Sequence, residues 1–153
     1  MFRNLLSRLF AVRPDSPHLS GQDAEVAIAS LLVRLARTDD HYGTAERQRI
    51  DQVLARRRGL DAAEAAERRA AAEMIEAEAP DTVRFTRIIK ERVELQERQE
   101  IVAALWEIAY ADGARSADEE SLVRLVAGLL GVNDRDSALA RQRALDDLGL
   151  SGK

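Results

Sequence analysis

The stretch LLVRLARTDD, residues 31–40, decides the fold of this chain because a similar stretch, ALWEIAYADG, follows at residues 104–113. The offset that places Asp39 on Asp112 also places Glu46 on Glu119, and we call it the repeat offset. In each copy an apolar helical pattern ends in an acidic turn, and an amphipathic helical pattern follows. The sequence therefore predicts an internal repeat of two helix–acidic turn–helix hairpins.

The two turns differ in the residues that would shape their backbone. Gly113 suits the left-handed conformation that often closes a helix, and Ser116 with Glu119 forms a capping box for the next helix. In the first copy Asp40 stands in place of the glycine and Gly43 in place of the serine. Asp adopts the left-handed conformation at a higher cost than Gly, so the first turn is predicted to be the less favourable of the two.

The acidic residues of both turns are candidate ligands of a divalent cation, because carboxylate oxygens are the ligands that hard cations prefer. The alternative is that the glutamates cap helices and the aspartates bond to backbone amides of the turn. Neither turn has the twelve-residue pattern of an EF-hand. If the hairpins pack side by side in the same sense, the carboxylates form one cluster. The candidate ligands are Asp39, Asp40, Glu46, Asp112 and Glu119.

Other residue types that carry chemistry are few. The two imidazoles are His18 and His41, and His41 either joins the first acidic turn on a transition metal or is a surface residue. Trp106 and Tyr110 lie one helical turn apart and are predicted to belong to the core. There is no glycine-rich phosphate loop. No nucleophile is paired with a base, so the sequence does not predict an enzyme.

The composition indicates one helical domain. The chain has 153 residues, 46% of them hydrophobic, 33% charged and only 4% aromatic, a mixture typical of helices. The absence of cysteine excludes disulfides and thiolate metal sites and fits a reducing compartment. A formal net charge of −4 does not favour nucleic acid as a partner. The arginines at 56–58 and 68–69 are interpreted as a solvated surface and a helix C-terminus, with an anionic partner as the alternative.

Residues 1–13 are predicted to form a short amphipathic helix, and residues 14–21, with Pro14 and Pro17, a linker. Three alternatives are open for the helix: docking onto the protein's own domain or a second copy, lying in a membrane interface, or disorder. The segment is too short to span a bilayer, and its arginines interrupt the apolar run of a signal peptide. Its apolar stripe consists of Phe2, Leu5, Leu6, Leu9 and Phe10.

The globular domain is predicted to span residues 22–148, and residues 149–153 to form a frayed tail. Its first helix, residues 22–37, is apolar around much of its circumference and is predicted to be central. Capping signals at Asp61 and Asn133 open two helices, and Gly59 ends another. A helix break is expected near residues 94–98, where the apolar stripe lapses. The predicted fold class is an all-α compact bundle of about seven helices, built on the repeat, with the amphipathic helix in addition.

The strings at residues 35–47, 85–89 and 104–113 resemble the TerB-like tellurite-resistance family, and the resemblance extends from about Asp23 to Arg143. It implies an all-helical domain of about seven helices, no enzymatic activity, and metal binding through Asp39, Glu46, Asp112 and Glu119. The family usually has Asp-Gly in the first turn and a later Asp-Pro. Here Asp39-Asp40 and Gly43-Thr44 stand instead.

Two functions are therefore expected. The first is a cytoplasmic, non-enzymatic binding module of a tellurite or stress-response system, which takes a divalent cation or a protein partner at its acidic turns and can form homo-oligomers. The alternative is an adaptor or scaffold peripheral to the inner membrane, held there by residues 2–10.

Overall fold

The computed structural model describes residues 21–38, 42–78, 82–111 and 117–150, and these form seven helices with no strand among them. The predicted all-α fold is confirmed. The predicted amphipathic helix at 1–13 and most of the linker lie outside the described residues. The helices are α1 (Gly21–Ala36), α2 (Thr44–Arg58), α3 (Ala62–Glu78), α4 (Val83–Arg92), α5 (Leu95–Ala109), α6 (Ala117–Leu129) and α7 (Asp134–Asp147).

The predicted repeat is present in the helix boundaries. Helices α1 and α5 end at Ala36 and Ala109, and helices α2 and α6 begin at Thr44 and Ala117, so both pairs are related by the repeat offset. The repeat also includes a third helix, because the starts of α3 and α7 match when the offset is shortened by one position. We call α1–α3 the first unit and α5–α7 the second unit. Helix α4 lies between them in the chain.

The third helix of each unit starts with the predicted cap. The amide of Glu64 donates to Asp61 Oδ1 at 2.8 Å, and the amide of Asp61 donates to Glu64 Oε1 at 3.0 Å, which completes a capping box. Asn133 Oδ1 accepts from the amide of Asp136 at 2.8 Å. Both caps are confirmed, and they satisfy amides that have no partner inside the helix.

The break between α4 and α5 falls at residues 93–94, at the start of the predicted interval. Val93 is extended and its side chain is buried. Its amide donates to the carbonyl of Ile89 at 2.8 Å, which closes α4. The chain therefore changes direction here without proline or glycine, because an apolar side chain is held in the core at the corner.

Helix α1 is the centre of the bundle, as its apolar circumference predicts. It packs most extensively on α3, α4 and α5 and also touches α2 and α6. In the second unit α5 packs on α7 as α1 packs on α3. The contact of α1 with α6 is matched by that of α5 with α2, so the two units pack with an approximate internal symmetry. None of the described helices is long and apolar enough to cross a membrane.

Candidate functional site

The two acidic turns join equivalent helices in the two units. Glu46 lies partly buried in the first turn of α2, and Glu119 lies buried in the first turn of α6. A carboxylate at a helix N-terminus is stabilised by the helix dipole. The three aspartates predicted as ligands, Asp39, Asp40 and Asp112, lie outside the described residues, as does His41.

The described part of the chain does not by itself form a metal site. Within residues 21–38, 42–78, 82–111 and 117–150, no three His, Cys, Asp or Glu side chains come close enough together to hold an ion. A site at the turns therefore requires the turn aspartates in addition to Glu46 and Glu119. The whole predicted set consists of carboxylates, which fits a hard cation such as Mg²⁺, Ca²⁺ or Mn²⁺.

The first acidic turn is followed directly by Tyr42, which ties it to α3. The Tyr42 hydroxyl donates to Glu73 on α3. Burial and this hydrogen bond to a carboxylate both raise the pKa of Tyr42 far above its usual value. The guanidinium groups of Arg37 and Arg47 lie 5.2 and 5.4 Å from the centre of the Tyr42 ring. Two positive charges therefore stand next to the first acidic turn.

The second acidic turn is preceded by Tyr110, which has similar partners. Its hydroxyl donates to Glu120 on α6 and accepts from Nε of Arg141 on α7 at 2.8 Å. Its ring stacks on Trp106 with the centroids 5.9 Å apart, and Trp106 donates to Ser137 Oγ at 3.3 Å. The prediction that Trp106 and Tyr110 are core residues is confirmed. The geometry joins all three helices of the second unit beside the turn.

The arginine run at the end of α2 forms ion pairs inside the domain. Arg57 binds both oxygens of Glu25 at 3.2 and 2.9 Å, and Arg58 binds the same carboxylate at 2.8 Å. Arg56 binds Glu107 of α5 at 3.2 Å. The side chain of Arg57 is only 12% exposed, so the interpretation of this run as a solvated surface is wrong for Arg57.

Glu25 is the buried partner in this group. Burial alone would raise the pKa of Glu25, but hydrogen bonds and charge from Arg57 and Arg58 outweigh burial and lower it. Sequence reasoning missed this pair. The signal was Glu25, inside the largely apolar helix 22–37, together with an arginine run at the end of the next helix.

A cleft of about 390 Å³ opens between α2, α5 and α7. Ala103, Ala104 and Ala144 contribute small apolar side chains to it. Charged groups of both signs surround these alanines, which makes the cleft polar at its edges. The charged residues that line it are Arg56, Arg57, Arg58, Glu97, Glu100, Glu107, Arg143 and Asp147.

Residues 25–142 match the protein family described as Tellurite resistance protein TerB. The match begins within α1 and ends within α7, so it includes both acidic turns and both units. No curated protein and no solved structure matches the chain. The family match covers most of the chain, and the comparison with known proteins rests on it.

Proposed function

The chain belongs to the TerB family of tellurite resistance proteins, and on that premise we propose that it is a non-enzymatic binding module whose two acidic turns bind one divalent cation. Cation binding would stabilise the turns for contact with a protein partner in a tellurite or stress-response system of the cytoplasm. The ligands are Asp39, Asp40 and Glu46 from the first turn and Asp112 and Glu119 from the second.

The observation that supports this proposal most is the structural repeat. Glu46 and Glu119 occupy equivalent positions in helices whose starts are related by the repeat offset. The helices that lead into the two turns also meet, since Leu35 near the end of α1 and Leu105 of α5 line one apolar gap together with Leu122 of α6. Leu35 is about one helical turn from the first acidic turn and Leu105 about two from the second. The proposal requires that carboxylates from the two turns come close enough for one ion and its water ligands to bridge them.

The positive charges beside the first turn argue for a modest affinity. Arg37 and Arg47 lie against Tyr42, two residues after Asp40 in the chain, and the charge of Arg37 is partly offset by its ion pair with Glu76. Like charges close to a site oppose cation binding. We expect the cation to be held mainly by the second turn, with the first turn completing the coordination.

The proposal is tested by thermal unfolding of the full chain and of Asp39→Asn/Asp112→Asn. Each protein is first treated with a chelator and then given Mg²⁺, Ca²⁺, Mn²⁺ or Zn²⁺. An ion present at a hundred times its dissociation constant adds about 2.7 kcal/mol to the free energy of unfolding. We expect one of the oxygen-preferring ions to raise the melting temperature of the wild type and not that of the variant.

A matched control is Glu67→Gln/Glu91→Gln, which removes the same charge from two exposed side chains on α3 and α4. This control should respond to the ion as the wild type does. If no ion stabilises the wild type, or if the turn variant responds equally, the turn aspartates are backbone-bonding residues and the cation proposal is wrong.

The second candidate function is an adaptor peripheral to the membrane. It rests on the apolar stripe of residues 2–10 and the cations Arg3 and Arg8 beside it. Co-sedimentation with vesicles of anionic lipid compares the full chain with a chain that starts at Ser20. Binding of the full chain alone would favour the adaptor, and equal binding of the two would exclude it.

A further inference from the structure

Helix α4 covers one surface of the bundle. Because of the internal repeat, an equivalent surface occurs elsewhere in the domain. The apolar face of α4, with Phe85, Ile88 and Ile89, is buried, and the helix packs mainly on α1 and also on α6. The guanidinium of Arg34 lies 5.4 Å from the centre of the Phe85 ring. At the other end, Lys90 lies close to Gly131 after α6. Helix α4 therefore runs from Arg34 to Gly131.

The repeat places the equivalent surface on α5 and α2. The residue that corresponds to Arg34 by the repeat offset is Glu107. The left-handed glycine that follows α2, as Gly131 follows α6, is Gly59, and it stands next to Arg58. Glu107 and Arg58 line the cleft of about 390 Å³. When the two units are exchanged, the cleft beside α5 and α2 is thus the counterpart of the surface that α4 covers on α1 and α6.

The order of the helices along the chain indicates which segment fills the cleft. Helix α4 directly precedes α5, the first helix of the second unit, and packs on α1 of the other unit. The segment 2–10 precedes α1, the first helix of the first unit. It also repeats most of the apolar spacing of α4 and its corner: Phe2, Leu5, Leu6 and Phe10 match Phe85, Ile88, Ile89 and Val93, and only Leu9 falls on a charged residue, Arg92.

We propose that residues 2–10 form a helix that fills the cleft between α2, α5 and α7, as the counterpart of α4. Nine helical residues extend about 13.5 Å, and the stretch from Glu97 to Glu107 spans about 15 Å along α5. The connection of residues 11–20 can extend roughly 33 Å. The start of α1 is beside the cleft, because Glu25 binds Arg57 and Arg58.

The chemistry of the cleft fits this segment. The apolar stripe meets Ala103, Ala104 and Ala144, whose small side chains leave room for phenylalanine and leucine. Arg3 and Arg8 flank the stripe and can pair with carboxylates at the edges of the cleft, such as Glu97 and Glu100. Docking covers the stripe that membrane binding would need. Docking of the segment does not depend on a cation at the acidic turns.

The test is disulfide formation, since the chain has no cysteine of its own. The variant Leu6→Cys/Ala103→Cys places one thiol on the stripe and one in the cleft. The control Leu6→Cys/Met74→Cys uses an exposed position on α3, which does not line the cleft. Under mild oxidation we expect the cleft pair to form an intramolecular disulfide about tenfold faster than the control pair, because docking raises the effective concentration of the two thiols.

Equal rates for the two pairs would overturn the proposal. Disulfide-linked dimers in place of the intramolecular bond would also overturn it, because they would show that the segment docks on another copy. A second measurement leaves the cleft unchanged. A nitroxide attached at Ser7→Cys, on the polar side of the segment, should broaden the amide NMR signals of residues 56–59 and 97–107. Broadening that is absent there, or spread evenly over the domain, would contradict the docking.

Discussion

In each unit a charged side chain of the first helix binds the end of the second helix, but the two charges are opposite. The residue is Glu25 in α1 and Arg98 in α5. Glu25 binds the guanidinium groups of Arg57 and Arg58 at the end of α2. Arg98 donates from Nη1 to the carbonyl of Leu130 after α6, and Leu130 is equivalent to Arg57 by the repeat offset. In both units the first helix is therefore tied to the end of the second.

The repeat thus preserves packing geometry more than chemistry. In the first unit a buried carboxylate requires two arginines to offset the cost of its desolvation. In the second unit an arginine satisfies carbonyls that a helix end leaves without partners. The two units should therefore respond differently to matched substitutions.

The largest difference is expected at the pair Trp106 and Val33, which are equivalent by the repeat and both buried. Trp106→Ala should lower the free energy of unfolding by about 3–5 kcal/mol, because it leaves a large cavity beside Tyr110. Val33→Ala removes two methyl groups and should cost about 2 kcal/mol. Urea unfolding measures both. Equal costs would show that the second unit relaxes around the lost indole.

The next largest effect on stability is expected from the ion pairs of Glu25 with Arg57 and Arg58. Glu25→Gln should cost about 1.5–3 kcal/mol at neutral pH, because the two arginines lose a charged acceptor. Glu91→Gln, at an exposed position of α4, should change stability by less than about 0.5 kcal/mol. A small loss for Glu25→Gln, close to that of the control, would show that the ion pair contributes little beyond packing.

The same substitution predicts a pH dependence. Because the pKa of Glu25 is lowered in the folded protein, its contribution is present above the pKa of a free glutamate, about 4.3, and is lost as the pH falls through the folded-state pKa. The difference in stability between wild type and Glu25→Gln should therefore shrink below about pH 4.5. A difference that is constant from neutral pH down to about pH 3 would contradict the lowered pKa.

A smaller effect separates the glycines that follow α2 and α6. Gly59 and Gly131 both have positive φ, 64° and 75°, so alanine at either position costs about 1–2 kcal/mol. A Cβ at Gly59 meets no atom within 4 Å, but one at Gly131 would lie 3.0 Å from Arg98 Nη1. Gly131→Ala should therefore destabilise more than Gly59→Ala in thermal unfolding. The reverse order would show that Arg98 moves away at little cost.

The smallest effect concerns the tyrosines beside the acidic turns. Tyr42→Phe and Tyr110→Phe each remove a hydroxyl bonded to a carboxylate and should cost about 1 kcal/mol. The pKa of both tyrosines is raised by burial and by the neighbouring carboxylates. Their stabilisation is therefore present below about pH 10 and lost as the pH rises through the folded-state pKa. Absorbance titration at alkaline pH should show two tyrosines that ionise late in the wild type and one in each variant.

The repeat, the caps and the central helix were all readable from the sequence because each depends on local spacing. Apolar periodicity marked α1, and Asp61 with Glu64 and Asn133 with Asp136 marked the starts of α3 and α7. The third helix of the repeat was not recognised, because the offset shortens by one position after α6 and an alignment with one fixed offset loses it.

For the candidate site the sequence supplied the acidic turns and the family, whose match includes both turns. Whether the turn aspartates share an ion remains a prediction. The tethering of the turns by Tyr42 and Tyr110 was not predicted, since their partners Glu73 and Arg141 lie 31 residues away in the chain. No local pattern relates residues so far apart.

Backbone capping and apolar spacing act over a few residues, so the sequence was sufficient to predict which segments are helical, where they begin and end, and that they occur twice. The tertiary structure alone decided which charges are buried and paired. Arg57 looked like part of a solvated run until packing placed it on Glu25. Likewise, only the packing of α2, α5 and α7 opens the cleft whose counterpart α4 covers. Ion pairing and clefts depend on distances between helices, which the chain fixes only when it folds.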